Sequence, residues 1–170
     1  MTVHLPIERT LNEARDKAID AVNRWRGHCV ERYARLEDEV TTTLSAMASM
    51  SDAKVNVPHN FGDKVRTLRT AIAAEGIFSR PRLCKALESF ETHLARRNML
   101  VHATGKIWTD SKGDWLWRYR FQPSGKNSSI QIGYVEKDEA IEWEEGLARE
   151  SRSLVDQLRT LRQSLKAVTE

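Results

Sequence analysis

An arginine, an asparagine and a histidine fall within six positions of one another near the middle of this 170-residue chain: Arg97, Asn98 and His102. Each type has a distinct chemical use. A guanidinium is a permanent cation whose fork of N–H donors matches a phosphate or carboxylate. An imidazole is the side chain suited to take up and release a proton near neutral pH. An amide can hold either of them in place. Together they suit phosphodiester chemistry, with the arginine neutralising the phosphate and its pentacoordinate transition state and the histidine acting as general base or acid.

Helical spacing brings these residues into one neighbourhood. Asn98 and His102 are four apart and share a helix face. Arg97 and His102 are five apart, about 140° around an ideal helix, an offset that the long arginine stem can bridge. The apolar stripe of the same segment runs Leu83, Leu87, Phe90, Leu94 and Val101, and Arg97 stands where that stripe calls for an apolar residue. A charge on a buried face requires an anionic partner, because burying it unpaired costs several kcal/mol, of order 3–5. That partner is either a carboxylate of this chain, with Glu75 and Glu88 as candidates, or a phosphate bound between helices. The plain alternative is an interhelical salt bridge beside a hydrogen-bonded histidine.

The six residues RNMLVH, Arg97 to His102, resemble the R-x4–6-H motif of HEPN domains, including the polar residue that these domains favour after the arginine. Arg96 also satisfies the spacing, so the motif alone leaves two candidate arginines. The resemblance implies a single HEPN-like helical domain over 1–170, in which a β insertion at about 106–135 is an embellishment and not a hallmark of the family. It also implies a metal-independent endoribonuclease in which two copies bring their motifs together at one composite site. In that arrangement Arg97 and His102 of both chains line a cleft, Asn98 orients them, and His102 assists attack by the ribose 2′-OH to leave a cyclic phosphate. Such proteins commonly act as toxins or defence effectors on cellular RNA, so RNA, a homodimer partner and an antitoxin protein are the implied partners. One toxin subgroup carries Tyr two residues after the histidine; this chain has Thr104 there, outside that pattern. The reading from another class is a non-catalytic helical module that binds a protein, or a dimeric scaffold.

The elements that must position the motif follow from periodicity. Apolar residues from Ile7 to Met47 recur every three or four positions, predicting a long first helix over about 7–50 that can kink at Gly27. Asn60 suits a cap, with Asp63 at the third helical position, for a second helix ended by Gly76. Ser79 and Pro81 begin a third helix that runs to about Ala103, stopped by Gly105. The period then becomes two. Trp115, Trp117, Tyr119 and Phe121 alternate with Leu116, Arg118 and Arg120, and 106–110 and 128–135 also read as extended, so three antiparallel strands are expected. Helical spacing resumes at Asp138 and continues through Leu147, Leu154, Leu158, Leu161 and Leu165 to the end. The fold class is therefore mainly α, about four helices in a bundle, with a small antiparallel insertion before the last. The C-terminal leucine stripe can face either the chain's own core or a second subunit.

The strand arginines, Arg118 and Arg120, join Arg96 as expected RNA-binding cations. They fall on the face opposite Trp115, Trp117, Tyr119 and Phe121, so the aromatic face is expected to pack on helices rather than to stack bases. A net charge of +3, with 18 Arg against 9 Lys, is compatible with an anionic partner without requiring one. Cys29 and Cys84 form no CxxC, which fits a reducing, cytoplasmic setting. Neither a signal-peptide pattern nor an apolar run of membrane-spanning length occurs, so no membrane role is expected. Cys84, His93 and His102, nine apart, match no zinc spacing. No metal or cofactor is expected, and the chain carries no P-loop, GxGxxG or GxSxG.

Overall fold

The computed structural model describes residues 6–50, 55–74, 79–123 and 128–169, and within these the chain is mainly helical with a three-stranded sheet before the final helix. Five helices, α1 (Pro6–Ala48), α2 (Phe61–Ala73), α3 (Pro81–Glu91), α4 (His93–His102) and α5 (Lys137–Thr169), and three strands, β1 (Thr104–Thr109), β2 (Trp115–Phe121) and β3 (Gln131–Glu136), follow in the order α1 to α4, β1 to β3, α5. None of these helices is long and apolar enough to cross a membrane. The chain divides into two compact units, Met1–Val30 with Arg97–Gly146, and Glu31–Arg96 with Leu147–Glu170.

In the second unit, the 3–4 periodicity does the work expected of it. Tyr33, Leu36, Val40, Leu44 and Met47 of α1 are buried, as are Val65, Leu68 and Ile72 of α2 and Leu154, Leu158, Leu161 and Leu165 of α5. The C-terminal leucines are thus covered within a single copy of the chain, which settles the choice left open by their spacing. Asn60 caps α2 as expected: its Oδ1 accepts from the backbone N–H of Asp63 at 2.9 Å. Glu39 receives hydrogen bonds from Arg162 at 2.5 Å and Arg159 at 2.9 Å. Burial raises the Glu39 pKa, but hydrogen bonds and charge from both arginines outweigh it, and the carboxyl sits below its ordinary value.

Several boundaries differ from the sequence reading. The expected third helix is two helices, because the hydrogen-bond ladder slips at Thr92, whose N–H reaches Ser89 three residues back at 3.3 Å and whose hydroxyl donates to the same carbonyl at 2.8 Å. The residue preceding α3 is Arg80, not Ser79, and it makes no side-chain cap; Pro81 occupies the first turn as expected. Gly105 does not end a helix but lies inside β1, and α1 continues through Gly27 without interruption. Asp52, Glu75 and Gly76 lie outside the described residues.

In the first unit, an aromatic core joins α1, the sheet and the start of α5. Trp25 packs against Trp115 and Trp117, each at a centroid distance of 6.0 Å, and against Trp143 at 5.4 Å in an edge-on arrangement. Such tilted and edge-to-face geometry suits the ring quadrupoles. Alternation on β2 turns Trp115, Trp117 and Phe121 inward, as expected for the aromatic face. Two glycines permit close approach on that face. A Cβ on Gly105 would lie 2.2 Å from the Arg118 carbonyl oxygen and 2.5 Å from Trp117 Nε1, and one on Gly133 would lie 2.4 Å from the Tyr119 hydroxyl.

Candidate functional site

Helix α4 is only 10 residues long, too short to be stable in isolation, so its last turn depends on outside support. The four terminal carbonyls of any helix lack internal partners. Here Arg26, from the middle of α1, supplies the donors: its Nε and Nη2 donate to the Leu100 carbonyl at 3.2 and 2.6 Å, and Nη2 also reaches that of Ala103 at 3.1 Å. A cation at this end also complements the helix dipole. The other side of the same guanidinium is occupied by the Trp117 ring, with Cζ 4.6 Å from the centroid. Burial lowers the Arg26 pKa from its ordinary value. Trp117 on β2, Arg26 on α1 and the end of α4 thereby form one continuous support for the turn that carries His102.

The motif residues sit on this supported turn. In the first unit α4 buries Met99 and Leu100, with Ala103 just beyond it, while Val101 is 40% exposed. The apolar stripe read from Leu83 therefore does not carry through to Val101. The slip at Thr92 intervenes, and Arg97 is half-buried rather than set into a core face. Its Nη1 donates to the Asn98 Oδ1 at 3.1 Å. Asn98 and His102 are both exposed, one helical turn apart on the same face. Arg97 and His102 are separated by about 7.5 Å along the helix axis. An exposed amide and imidazole thus share one face at a helix end, with the half-buried Arg97 guanidinium held beside the amide.

The other expected residues are distributed differently. Arg96 is exposed and immediately precedes Arg97 on α4. Glu88, once a candidate partner for Arg97, lies 3.9 Å from Arg69. His93 pairs with Glu150 at 3.0 Å and stacks on Phe90. Among the described residues, no group of three His, Cys, Asp or Glu is placed to hold a metal ion. Glu144, near the start of α5, accepts from or is paired with His28 Nδ1 at 3.1 Å.

Arg118 and Arg120 are exposed on the outer face of the sheet, as alternation required. The strand register adds what alternation on one strand could not. Lys106 on β1 and Tyr134 on β3 both lie directly opposite Arg118, Ile132 lies opposite Arg120, and Trp108 lies opposite Leu116. Residues opposite one another share a face. Three cations and two aromatic rings therefore occupy one open surface. Lys106, Trp108 and Tyr134 were not singled out from sequence; the period-two placement of Lys106 with Trp108, and of Ile132 with Tyr134, was the available signal. Arg26 was missed because its role depends on an element about 75 residues away in sequence.

Compared with known proteins, the chain matches no family model, no curated protein and no solved structure.

Proposed function

We propose that this protein is a metal-independent endoribonuclease of HEPN type, acting as a toxin or defence effector on cellular RNA through a composite site formed by two copies of the chain. The observation that carries this reading is the placing of Arg97 beside Asn98, and of exposed Asn98 and His102 on one face, at a helix end. The Arg97 guanidinium, a cation whose fork of donors matches a phosphate, is hydrogen-bonded to Asn98. His102 takes the proton from a ribose 2′-OH, whose oxygen then attacks the adjacent phosphorus. The bond from phosphorus to the 5′-oxygen breaks, that oxygen receives a proton from the His102 of the second copy, and a 2′,3′-cyclic phosphate and a 5′-hydroxyl remain. Arg97 of each chain balances the charge that builds on the equatorial oxygens. An antitoxin protein that covers this end of α4 would silence both copies.

The test is cleavage of purified total tRNA in excess EDTA by wild type, Arg97→Ala and His102→Ala. Cleavage by wild type with cyclic phosphate ends, reduced at least about 100-fold in His102→Ala while its thermal melt is unchanged, is the expected result. Equal cleavage by wild type and His102→Ala overturns the assignment. No cleavage, together with capture of a protein partner that survives both substitutions, replaces it with the non-catalytic binding module.

A further inference from the structure

The outer face of the sheet has properties that folding alone does not require. Lys106 and Arg118 are directly opposite on adjacent strands, and like charges so placed disfavour strand pairing. Arg120 follows Arg118 two residues along the same strand on the same face. Among the described residues, no carboxylate forms an ion pair with any of the three. Glu136 shares the face, opposite Leu116, and lies with Asp110, Asp114 and Asp138 at the end of the sheet beside Trp108. Around this cationic column lie unusually open apolar side chains: Trp108 is 45% exposed, and Ile132 and Tyr134 are each 56% exposed. The other four tryptophans, Trp25, Trp115, Trp117 and Trp143, form this unit's aromatic core and are each at most 8% exposed. Exposure of Trp108 is therefore a property of its position, not of a loosely packed unit.

The arrangement is regular. The arginines are on the central strand, Trp108 is on one edge strand and Tyr134 on the other. Two strand spacings separate the rings laterally, roughly 10 Å. A ligand that fits must be polyanionic along its length and must offer flat faces on either side of that charge. A single-stranded nucleic acid does both, because unstacked bases lie on aromatic rings while the backbone follows the cations. Duplex hides its base faces, and an acidic polypeptide supplies charge without them.

We infer that the outer sheet face is a binding platform for single-stranded RNA, with Trp108 and Tyr134 stacking bases and Lys106, Arg118 and Arg120 holding the backbone phosphates. The choice of RNA over DNA rests on the endoribonuclease reading; the single-stranded polyanion is indicated by the face itself. The platform would give that reaction its preference for unpaired substrate.

Binding is measured apart from cleavage by using the His102→Ala protein and a fluorescein-labelled oligouridylate of about 12 nucleotides, followed by anisotropy. Trp108→Ala and Tyr134→Ala, both at exposed positions, are expected to keep the wild-type melt and to weaken binding about tenfold each. The plot of log K against log salt is expected to have a slope near −2 for three phosphate contacts, falling in magnitude by about 1.4 in the Arg118→Gln/Arg120→Gln double variant. Affinity indifferent to both aromatic substitutions overturns the inference, as does equal affinity for duplex RNA or polyglutamate. Tighter binding of the matching DNA strand overturns the choice of RNA. Binding as expected with no cleavage by the wild-type protein would sink the nuclease reading and leave the platform standing. Cleavage by wild type without this binding pattern would do the reverse.

Discussion

The guanidinium of Arg26 donates to the carbonyl oxygen of Leu100 at 2.6 Å, across 74 positions of sequence, and so closes the end of the helix that carries His102. Its other face is covered by Trp117. One side chain therefore links the aromatic core of the sheet unit to the candidate site.

Arg26→Ala removes the donors to two orphan carbonyls and the cation over Trp117. It is expected to destabilise the protein by about 2 kcal/mol, read from urea unfolding. Hydrogen exchange should rise first at the Ala103 amide, which bonds to the Met99 carbonyl at 2.8 Å in the intact turn. Arg26→Lys should recover only part of the loss, because an ammonium cannot span both carbonyls while stacking flat on indole. An unchanged midpoint in Arg26→Ala would contradict the capping role.

Two glycines give opposite expectations for the same substitution. Gly27 is inside α1 and a Cβ there meets nothing within 4 Å, so Gly27→Ala should stabilise by about 0.5–1 kcal/mol through helix propensity. Gly105 has the Arg118 backbone oxygen 2.2 Å from the site of a Cβ. Backbone cannot swing aside as a side-chain end can, so Gly105→Ala should destabilise by at least about 2 kcal/mol. Thermal melts of the two variants should move in opposite directions.

Glu39 supplies a pH dependence. Its folded carboxyl value lies below the ordinary one, so the folded state binds its proton less readily than the unfolded chain does. The stabilisation is fully present above the unfolded glutamate range, around pH 4.3. It is lost as pH falls through the lower folded value. Glu39→Gln should cost about 2 kcal/mol at pH 7 and progressively less as the pH is lowered into the acid range. A difference between the two proteins that stays constant from pH 7 to strong acid would exclude this account.

Local rules carried much of the reading. The 3–4 spacing of Tyr33 to Met47 and of Leu154 to Leu165 foretold both long helices and their buried faces, because which side of a helix is apolar is written in consecutive residues. Asn60 with Asp63 foretold a cap, a contact made within one turn. The period-two run at Trp115–Phe121 foretold a strand and the inward face of its tryptophans. The same rules went astray at Thr92, where a threonine hydroxyl competes for a backbone carbonyl and interrupts a pattern that otherwise reads as one helix. Projecting the stripe across that interruption put Arg97 on a buried face that it does not occupy.

The sequence by itself determined the element types, the main buried stripes and the presence of Arg97, Asn98 and His102 within one helical segment. Tertiary structure decided that α4 ends under Arg26, and that Lys106 and Tyr134 flank Arg118 on an open face with Trp108 nearby. The physical reason is the range of the interactions. Helical periodicity and capping are settled by residues within a turn of one another, whereas strand register and a cap donated from a distant helix exist only after non-local segments have paired, and no local pattern encodes which partner they will meet.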